Sequence, residues 1–347
     1  MITEQEILNT LKHVQDPDLN QNIVDLGFVR NIKIESNSVE LEVCLTTPLC
    51  PVKDDLKSQV EERIQQLGVG KVTAHMTSEV RKAKSVNERR EIKGVKNIVV
   101  IGSGKGGVGK STIATNIACG FAQMGAKVGL LDADIYGPSV PFLMKTHEKV
   151  YVIENRMQPI PAHCVKLMSM GFLVEGDKPL IWRGPMAHRA LDQCLFEVDW
   201  GELDYLFVDL PPGTGDIHLT LSQSVNITGA VIVSTPQDVG LVISRKTLRM
   251  FETTHVPILG LIENMSSYLC PHCGEEDAIF GSGTVESVAK QLGIAYLGSI
   301  PLHKEIRTSG DEGKPAILQE KLDNTIKARY NNIISFIARQ VSIMQYR

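Results

Sequence analysis

The run from Asn97 to Thr112, N-I-V-V-I-G-S-G-K-G-G-V-G-K-S-T, constrains this chain more than any other. Its opening residues, Asn97 to Ile101, are almost wholly apolar, as a strand buried on both faces of a parallel sheet must be. A glycine-rich loop follows (Gly102, Ser103, Gly104, Lys105, Gly106, Gly107, Val108, Gly109), and Lys110-Ser111-Thr112 opens a helical segment. Without Cβ atoms the loop amides can turn inward around a polyanion, and the helix N-terminus adds partial positive charge. Gly104 and Gly109 bracket the spacing of G-x-x-x-x-G-K-[ST]. In such a loop Lys110 neutralises the β- and γ-phosphates and the Ser111 hydroxyl binds Mg2+. A rival pattern overlaps it: Gly102-x-Gly104-x-x-Gly107 is a dinucleotide fingerprint, with Asp132 or Asp134 about 20 residues on. A dehydrogenase has no use for a lysine and serine just inside the helix, so a nucleoside triphosphate is the expected ligand.

The 347 residues suit one large α/β domain and a small one. Lys and Arg total 36 against 40 Asp and Glu, so no global basic field points to nucleic acid. The N-terminus M-I-T-E-Q-E-I-L has neither the charge nor the apolar run of a signal or transit peptide. No apolar run approaches the roughly 18 residues that span a bilayer. Seven scattered cysteines suit reduced thiols better than a disulfide framework, and a cytoplasmic location is expected.

Residues 1–80 read as a small α/β module: a helix over Glu4–His13, paired strands over Val29–Ile34 and Val39–Leu45, a helix over Val52–Leu67 and a strand over Gly68–Met76. Cys50 stands between Pro48-Leu49 and Pro51 in a loop leading into a helix, a setting that lowers a thiol pKa. Residues 81–95 carry six basic residues against two acidic ones and read as a solvated linker. From 96 to 347 strand and helix patterns alternate, which predicts a parallel sheet. The strand Lys127–Asp132 ends in D-A-D-I-Y-G-P-S, placing Asp132 and Asp134 at a carboxyl end, where ligands bind. Residues 145–200 are less patterned; Met186–Val198 reads as a helix with Cys194 in the core and His188 and Arg189 on an exposed face. Tyr205–Asp216, Y-L-F-V-D-L-P-P-G-T-G-D, is an apolar strand ending in Asp209, an acid placed to hold magnesium. Gly213 and Gly215 supply hinges for a loop that follows the γ-phosphate. The strand over Pro257–Asn264 ends in an amide, Asn264, whose donor and acceptor suit a base edge. The terminal stripe Ile326, Tyr330, Ile333, Ile334, Ile337, Val341, Met344 predicts a helix packed on the core rather than laid on a membrane.

Cys270-Pro271-His272-Cys273 admits three explanations. Zinc needs four ligands and the chain has no second C-x-x-C. A redox dithiol belongs at the start of a helix in a thioredoxin fold. Two chains, each giving Cys270 and Cys273, would together hold a 4Fe–4S cluster.

Several stretches resemble known families. Lys105 within K-G-G-V-G-K-S resembles the deviant phosphate loop of the dimeric ATPases that include nitrogenase iron protein and the septum-site and partition ATPases. Asp16–Val29 (D-P-D-L-N-Q-N-I-V-D-L-G-F-V) and Thr46–Pro51 (T-T-P-L-C-P) resemble the small iron–sulfur-assembly domain often fused to such ATPases. Glu263–Gly281, with the phosphate loop and D-L-P-P-G-T-G-D, resembles the Mrp/ApbC family of ATP-dependent iron–sulfur cluster carriers, and P-L-I-W-R-G-P-M-A (Trp182, Arg183, Gly184, Pro185) fits it too. The resemblance implies an α/β, parallel-sheet P-loop NTPase domain behind a small N-terminal α/β domain, acting as a homodimer. It implies that Lys105 reaches the partner's nucleotide, Asp134 serves the attacking water, Asp132 supports the metal shell beside Asp209 and Ser111, and Asn264 contacts adenine of ATP. It further implies a 4Fe–4S cluster on Cys270 and Cys273, Cys50 as the reactive thiol, and apo-protein recipients and scaffold proteins as partners. The alternative expectation is a partition or septum-site ATPase that organises DNA or membrane and holds no cluster.

Overall fold

The structure, a computed structural model, describes residues 2–83, 89–146, 148–173, 184–270 and 272–346. Backbone contacts divide it into two units, Met1–Arg81 with Ala338–Arg347, and Lys82–Ile337.

In the first unit, helix α1 (Glu4–Leu11) begins at Thr3, whose hydroxyl accepts from the Glu6 amide while the Glu6 carboxylate accepts from the Thr3 amide. This reciprocal cap satisfies two amides the helix leaves unpaired. Strands β1 (Val29–Glu35) and β2 (Ser38–Leu45) pair antiparallel. Helix α2 (Lys53–Gln65) then carries the chain to β3 (Lys71–Ser78), parallel to β2. Val39, Leu41 and Val43, alternating along β2, face Leu56, Val60 and Ile64 of α2 in one core. The end of the chain completes this unit. Tyr346 meets Phe28 edge-on at 6.2 Å, the Arg81 guanidinium lies 4.1 Å over the Tyr346 ring, and Arg339 Nε sits 2.9 Å from Asp18 Oδ1.

In the second unit the chain alternates as expected. Strand β4 (Val95–Ser103), buried along almost its whole length, feeds α3 (Lys110–Gln123) and then β5 (Val128–Asp132). Two strands with no clear signal in the sequence follow, β6 (Ile160–Ala162) and β7 (Val165–Ser169), joined by a turn with positive φ at His163 and Cys164. Helix α4 (Gly184–Asp192) widens into a π turn over Gln193–Glu197, where Cys194 is buried in the core as expected. Then come β8 (Leu203–Asp209), α5 (Asp216–Ser224), β9 (Gly229–Ser234), α6 (Asp238–Thr253) and β10 (Ile258–Leu269). The chain continues through the short β11 (Glu276–Asp277), α7 (Thr284–Leu292), β12 (Tyr296–Leu302), α8 (Lys304–Asp311) and α9 (Asn324–Tyr346). Trp182 and Arg183 of the W-R-G-P segment lie outside the described residues, as do residues 84–88 of the linker.

The sheet runs β6-β7-β5-β8-β4-β9-β10-β11, with β12 also on β10. All neighbours are parallel except the β6–β7 and β10–β11 hairpins. Because β8 inserts between β5 and β4, Asp209 is in register with both Asp132 and Ile101. Both acids therefore stand at the carboxyl edge beside the glycine loop, where open parallel sheets bind ligands. Along α9, Ile326, Tyr330, Ile333, Ile334, Ile337 and Val341 are buried. No helix among the described residues is long and apolar enough to cross a membrane.

Candidate functional site

Gly107 and Gly109 both take φ near +77°, a conformation that L side chains rarely adopt, and Gly109 hands the chain directly into α3. Lys110 is buried, and its Nζ lies 2.6 Å from Asp209 Oδ1 and 3.3 Å from Ser111 Oγ. Asp209 is wholly buried, and its Oδ2 has no hydrogen-bond partner among the described residues. A free carboxylate oxygen next to a serine hydroxyl is the donor set of a hard divalent cation, so these residues fit Mg2+.

Asp132 is satisfied by the protein itself. Its Oδ1 accepts from the Asp134 amide at 3.1 Å; its Oδ2 accepts from the Val140 amide at 3.2 Å and the Ser169 hydroxyl at 3.3 Å. Burial pushes this carboxyl up to about 7, and the charge of Asp209 adds to the effect. Asp132 thus stands beside the candidate metal position but is engaged in holding the loop that follows β5. Ser169, which no motif singles out, is part of that grip. Asp134 Oδ1 accepts from the Tyr136 and Gly137 amides, each at 3.3 Å, and the residue borders a cavity of about 540 Å³ with Pro212, Gly215, Asp216 and His188. Lys105 Nζ donates to Gln237 Oε1 of its own chain at 3.0 Å.

Asn264 does not end its strand, contrary to expectation. Met265 takes φ +56°, the register slips, and pairing resumes at Tyr268 opposite Leu302, so β10 runs on to Leu269. The Asn264 amide donates to the Val108 carbonyl at 2.8 Å, tying the phosphate loop to a second cavity of about 740 Å³. Gly109, Thr112, Pro301, His303 and Arg307 also line that cavity, which has the size and the neighbours a nucleoside requires. A Cβ at Gly109 would lie 2.3 Å from Asn264 Nδ2, whereas one at Gly107 would meet nothing within 4 Å. Gly109→Ala is expected to weaken nucleotide binding at least tenfold by calorimetry, about 1–3 kcal/mol of strain plus the lost Asn264 bond. Gly107→Ala carries the strain alone and should lose less; equal losses would show that Asn264 is immaterial.

The continuation of β10 delivers Cys270 to a tight hairpin. The Cys270 amide donates to Glu275 O at 3.0 Å, the Gly274 amide donates to Cys270 O at 2.9 Å, and Gly274 takes φ +74°. The Cys270 thiol is drawn below its ordinary value by the amides of Cys273 and His272 and by the Cys273 thiol. Cys273 is exposed. The base of the hairpin is fixed by Glu276, which accepts from Ser267 Oγ at 2.7 Å and pairs with Arg329. Among the described residues no three His, Cys, Asp or Glu side chains gather into a metal centre. The hairpin therefore offers two thiols.

Residues 94–338 match the family described as NUBPL iron-transfer P-loop NTPase, and residues 4–75 match that of iron-sulfur cluster assembly proteins. The chain belongs to the iron-transfer P-loop NTPases. It is 42% identical to the iron-sulfur cluster carrier protein of Synechocystis sp. over 99% of this chain and 98% of that one. The iron-sulfur cluster carrier protein of Escherichia coli is 38% identical, over 96% and 91%. The iron-sulfur cluster transfer protein NUBPL of Dictyostelium discoideum is 50% identical, over 73% and 79%. Among solved structures, a nucleotide-binding protein of Archaeoglobus fulgidus in complex with ADP superposes with TM-score 0.59 at 36% identity, covering 67% of this chain and 94% of that one. The Pyrococcus furiosus cell division ATPase MinD, at TM-score 0.51 and 19% identity, shares the fold.

Two histidines of this NTPase escaped the sequence reading. His188 is not simply an exposed face: it borders the Asp134 cavity, and its Nε2 is buried with no partner among the described residues. His218, on α5 just after the P-P-G-T-G-D loop, is fully buried and neither ring nitrogen has a partner there. Burial, and after it the charge of Lys110, lowers its pKa to about 4. The unfolded chain takes up this proton below about 6.5 while the folded one refuses it, so stability falls as pH drops from about 6.5 toward 4. At pH 5 the loss is about 2 kcal/mol relative to pH 7, and His218→Phe is expected to remove it in thermal unfolding. An unchanged pH dependence would contradict the burial. Cys50 also departs from expectation. Burial raises its thiol to about 11, with Asp18 and Asp16 adding to the shift, so its proline-flanked loop shelters the sulfur instead of activating it.

Proposed function

We propose that this protein is a homodimeric, magnesium-dependent ATPase that carries a 4Fe–4S cluster between its subunits and hands it to apo-proteins. The observation that carries the reading is the cysteine hairpin: two thiols on one tight turn, with no third ligand-bearing side chain gathered beside them among the described residues. A cluster requires four ligands, and a twofold pair of hairpins supplies four thiolates. The names of the relatives, iron-sulfur cluster carrier and transfer proteins, support the same cargo.

In this reading the loop amides and Lys110 hold the triphosphate, and Asn264 reads adenine from the cavity that it lines. Ser111 and Asp209 would hold magnesium, which when bound offsets negative charge on the β- and γ-phosphates. Asp132 orders the loop that carries Asp134, and Asp134 orients the attacking water. Lys105 leaves Gln237 to reach the partner subunit's nucleotide. Hydrolysis is slow because nucleotide state governs docking and release through the Pro211–Asp216 loop. Scaffold proteins load the cluster, recipients take it by exchange of thiolate for thiolate, and the work is done in the cytoplasm. Cys50 acts as a thiol only after its loop opens.

Anaerobic reconstitution with ferrous iron and sulfide tests the reading. Four irons and four sulfides per two chains are expected. Protein that stays colourless and monomeric sinks it.

A further inference from the structure

The hairpin carries more than thiols. Tyr268, the next-to-last residue of β10, is 38% exposed; Ile279 and Phe280, just past β11, are 55% and 37% exposed. Tyr268 pairs directly with Asp277, and the Ile279 amide bonds back to Asp277 O at 3.0 Å, so the three side chains flank the same short ladder that ends in the cysteines. Large apolar groups left in water this close together mark a surface that another molecule covers.

We propose that Tyr268, Ile279 and Phe280 form an apolar collar that packs against its own copy across the twofold axis and seals the shared cluster from water. The proposal rests on the carrier reading above. If two hairpins must meet to supply four thiolates, whatever flanks the cysteines meets its counterpart as well, because a twofold contact uses the same patch on both chains.

Charge also favours an apolar attraction here. Every described residue from His272 to Phe280 is exposed, and Glu275, Glu276 and Asp277 lie among them. Glu276 is engaged by Arg329 of its own chain, but Glu275 and Asp277 have no such ion pair among the described residues. Brought together by symmetry, those acids repel each other. Attraction between the hairpins must come from the collar. The association should then tighten with salt, which screens the repulsion and strengthens apolar burial, whereas an ion-paired contact would loosen.

Ile279→Ser with Phe280→Ser tests this on the full-length protein after anaerobic reconstitution. The variant should bind nucleotide as the wild type does, which shows that the large unit is folded. Its cluster-loaded dimer should dissociate at about tenfold lower concentration of denaturing competitor or about tenfold higher protein concentration in light scattering, and a ferrous chelator should bleach it several-fold faster. Raising salt from about 50 mM to about 500 mM should tighten the wild-type dimer, and the variant, which keeps Glu275 and Asp277, should tighten too but remain the weaker of the two at both salt concentrations. Unchanged association and bleaching in the variant would overturn the collar. So would a variant that dimerises and holds its cluster normally yet fails to deliver it, because the patch would then belong to the recipient. A wild-type dimer that loosens with salt would overturn the apolar attraction. Wild-type protein that takes up no iron at all would instead remove the carrier reading on which the collar rests.

Discussion

Lys110→Ala is expected to slow triphosphate hydrolysis by about a hundred- to a thousandfold, and to weaken the fold as well. The first effect follows from removing the lysine that the proposed function places on the β- and γ-phosphates; losing a single preorganised charge partner typically costs about 10²–10³ in rate. The second follows from the 2.6 Å pair with Asp209, wholly buried at the end of β8. Removing one member of a buried pair leaves an uncompensated charge and costs about 3–5 kcal/mol. Burial already raises the Asp209 carboxyl, and Lys110 opposes that shift. Without the lysine the folded state takes up a proton more readily than the unfolded one, so the variant's stability falls as pH rises above the usual carboxylate range. Chemical denaturation at pH 4 and pH 8 should therefore find the larger loss at pH 8. Lys110→Ala with Asp209→Asn should recover much of the stability and none of the hydrolysis. A single variant as stable as wild type at pH 8 would mean that the pair is not buried as described.

Cys270→Ala with Cys273→Ala should leave no bound iron or sulfide, while nucleotide affinity stays at the wild-type value, because the hairpin follows β10 whereas the phosphate loop joins β4 to α3. Each single substitution should be nearly as damaging. Twofold symmetry deletes two of four ligands at once, and a cluster left with two thiolates falls apart. Iron and sulfide analysis after anaerobic reconstitution reads this directly. A single variant that retains a full cluster would require a ligand outside the cysteine pair, and His272 would be the first to replace.

Much of this site was legible because its chemistry is local. The phosphate loop and the acids ending β5 and β8 each announce themselves within a dozen residues. What could not be read is what forms between distant segments. Lys110 and Asp209 meet across 99 positions of chain, and the cavity beside Asn264 draws on β12 and α8, whose sequences carry no motif. Strands β6 and β7 are too short to show a period, so Ser169 and its bond to Asp132 stayed hidden. Asn264 looked like a strand end because Met265 breaks the pattern, yet a single residue at positive φ lets the ladder resume and carry the cysteines. For Cys50 the flanking prolines were visible but the burial was not, and burial decided the direction of its pKa.

The pairing of Met1–Arg81 with Ala338–Arg347 bears on how the polypeptide matures. Tyr346, which caps Phe28, and Arg339, which answers Asp18, stand far along the chain from the partners they meet. Closing this unit therefore depends on contacts of very long sequence separation, which form slowly, and Cys50 lies in the module that they complete.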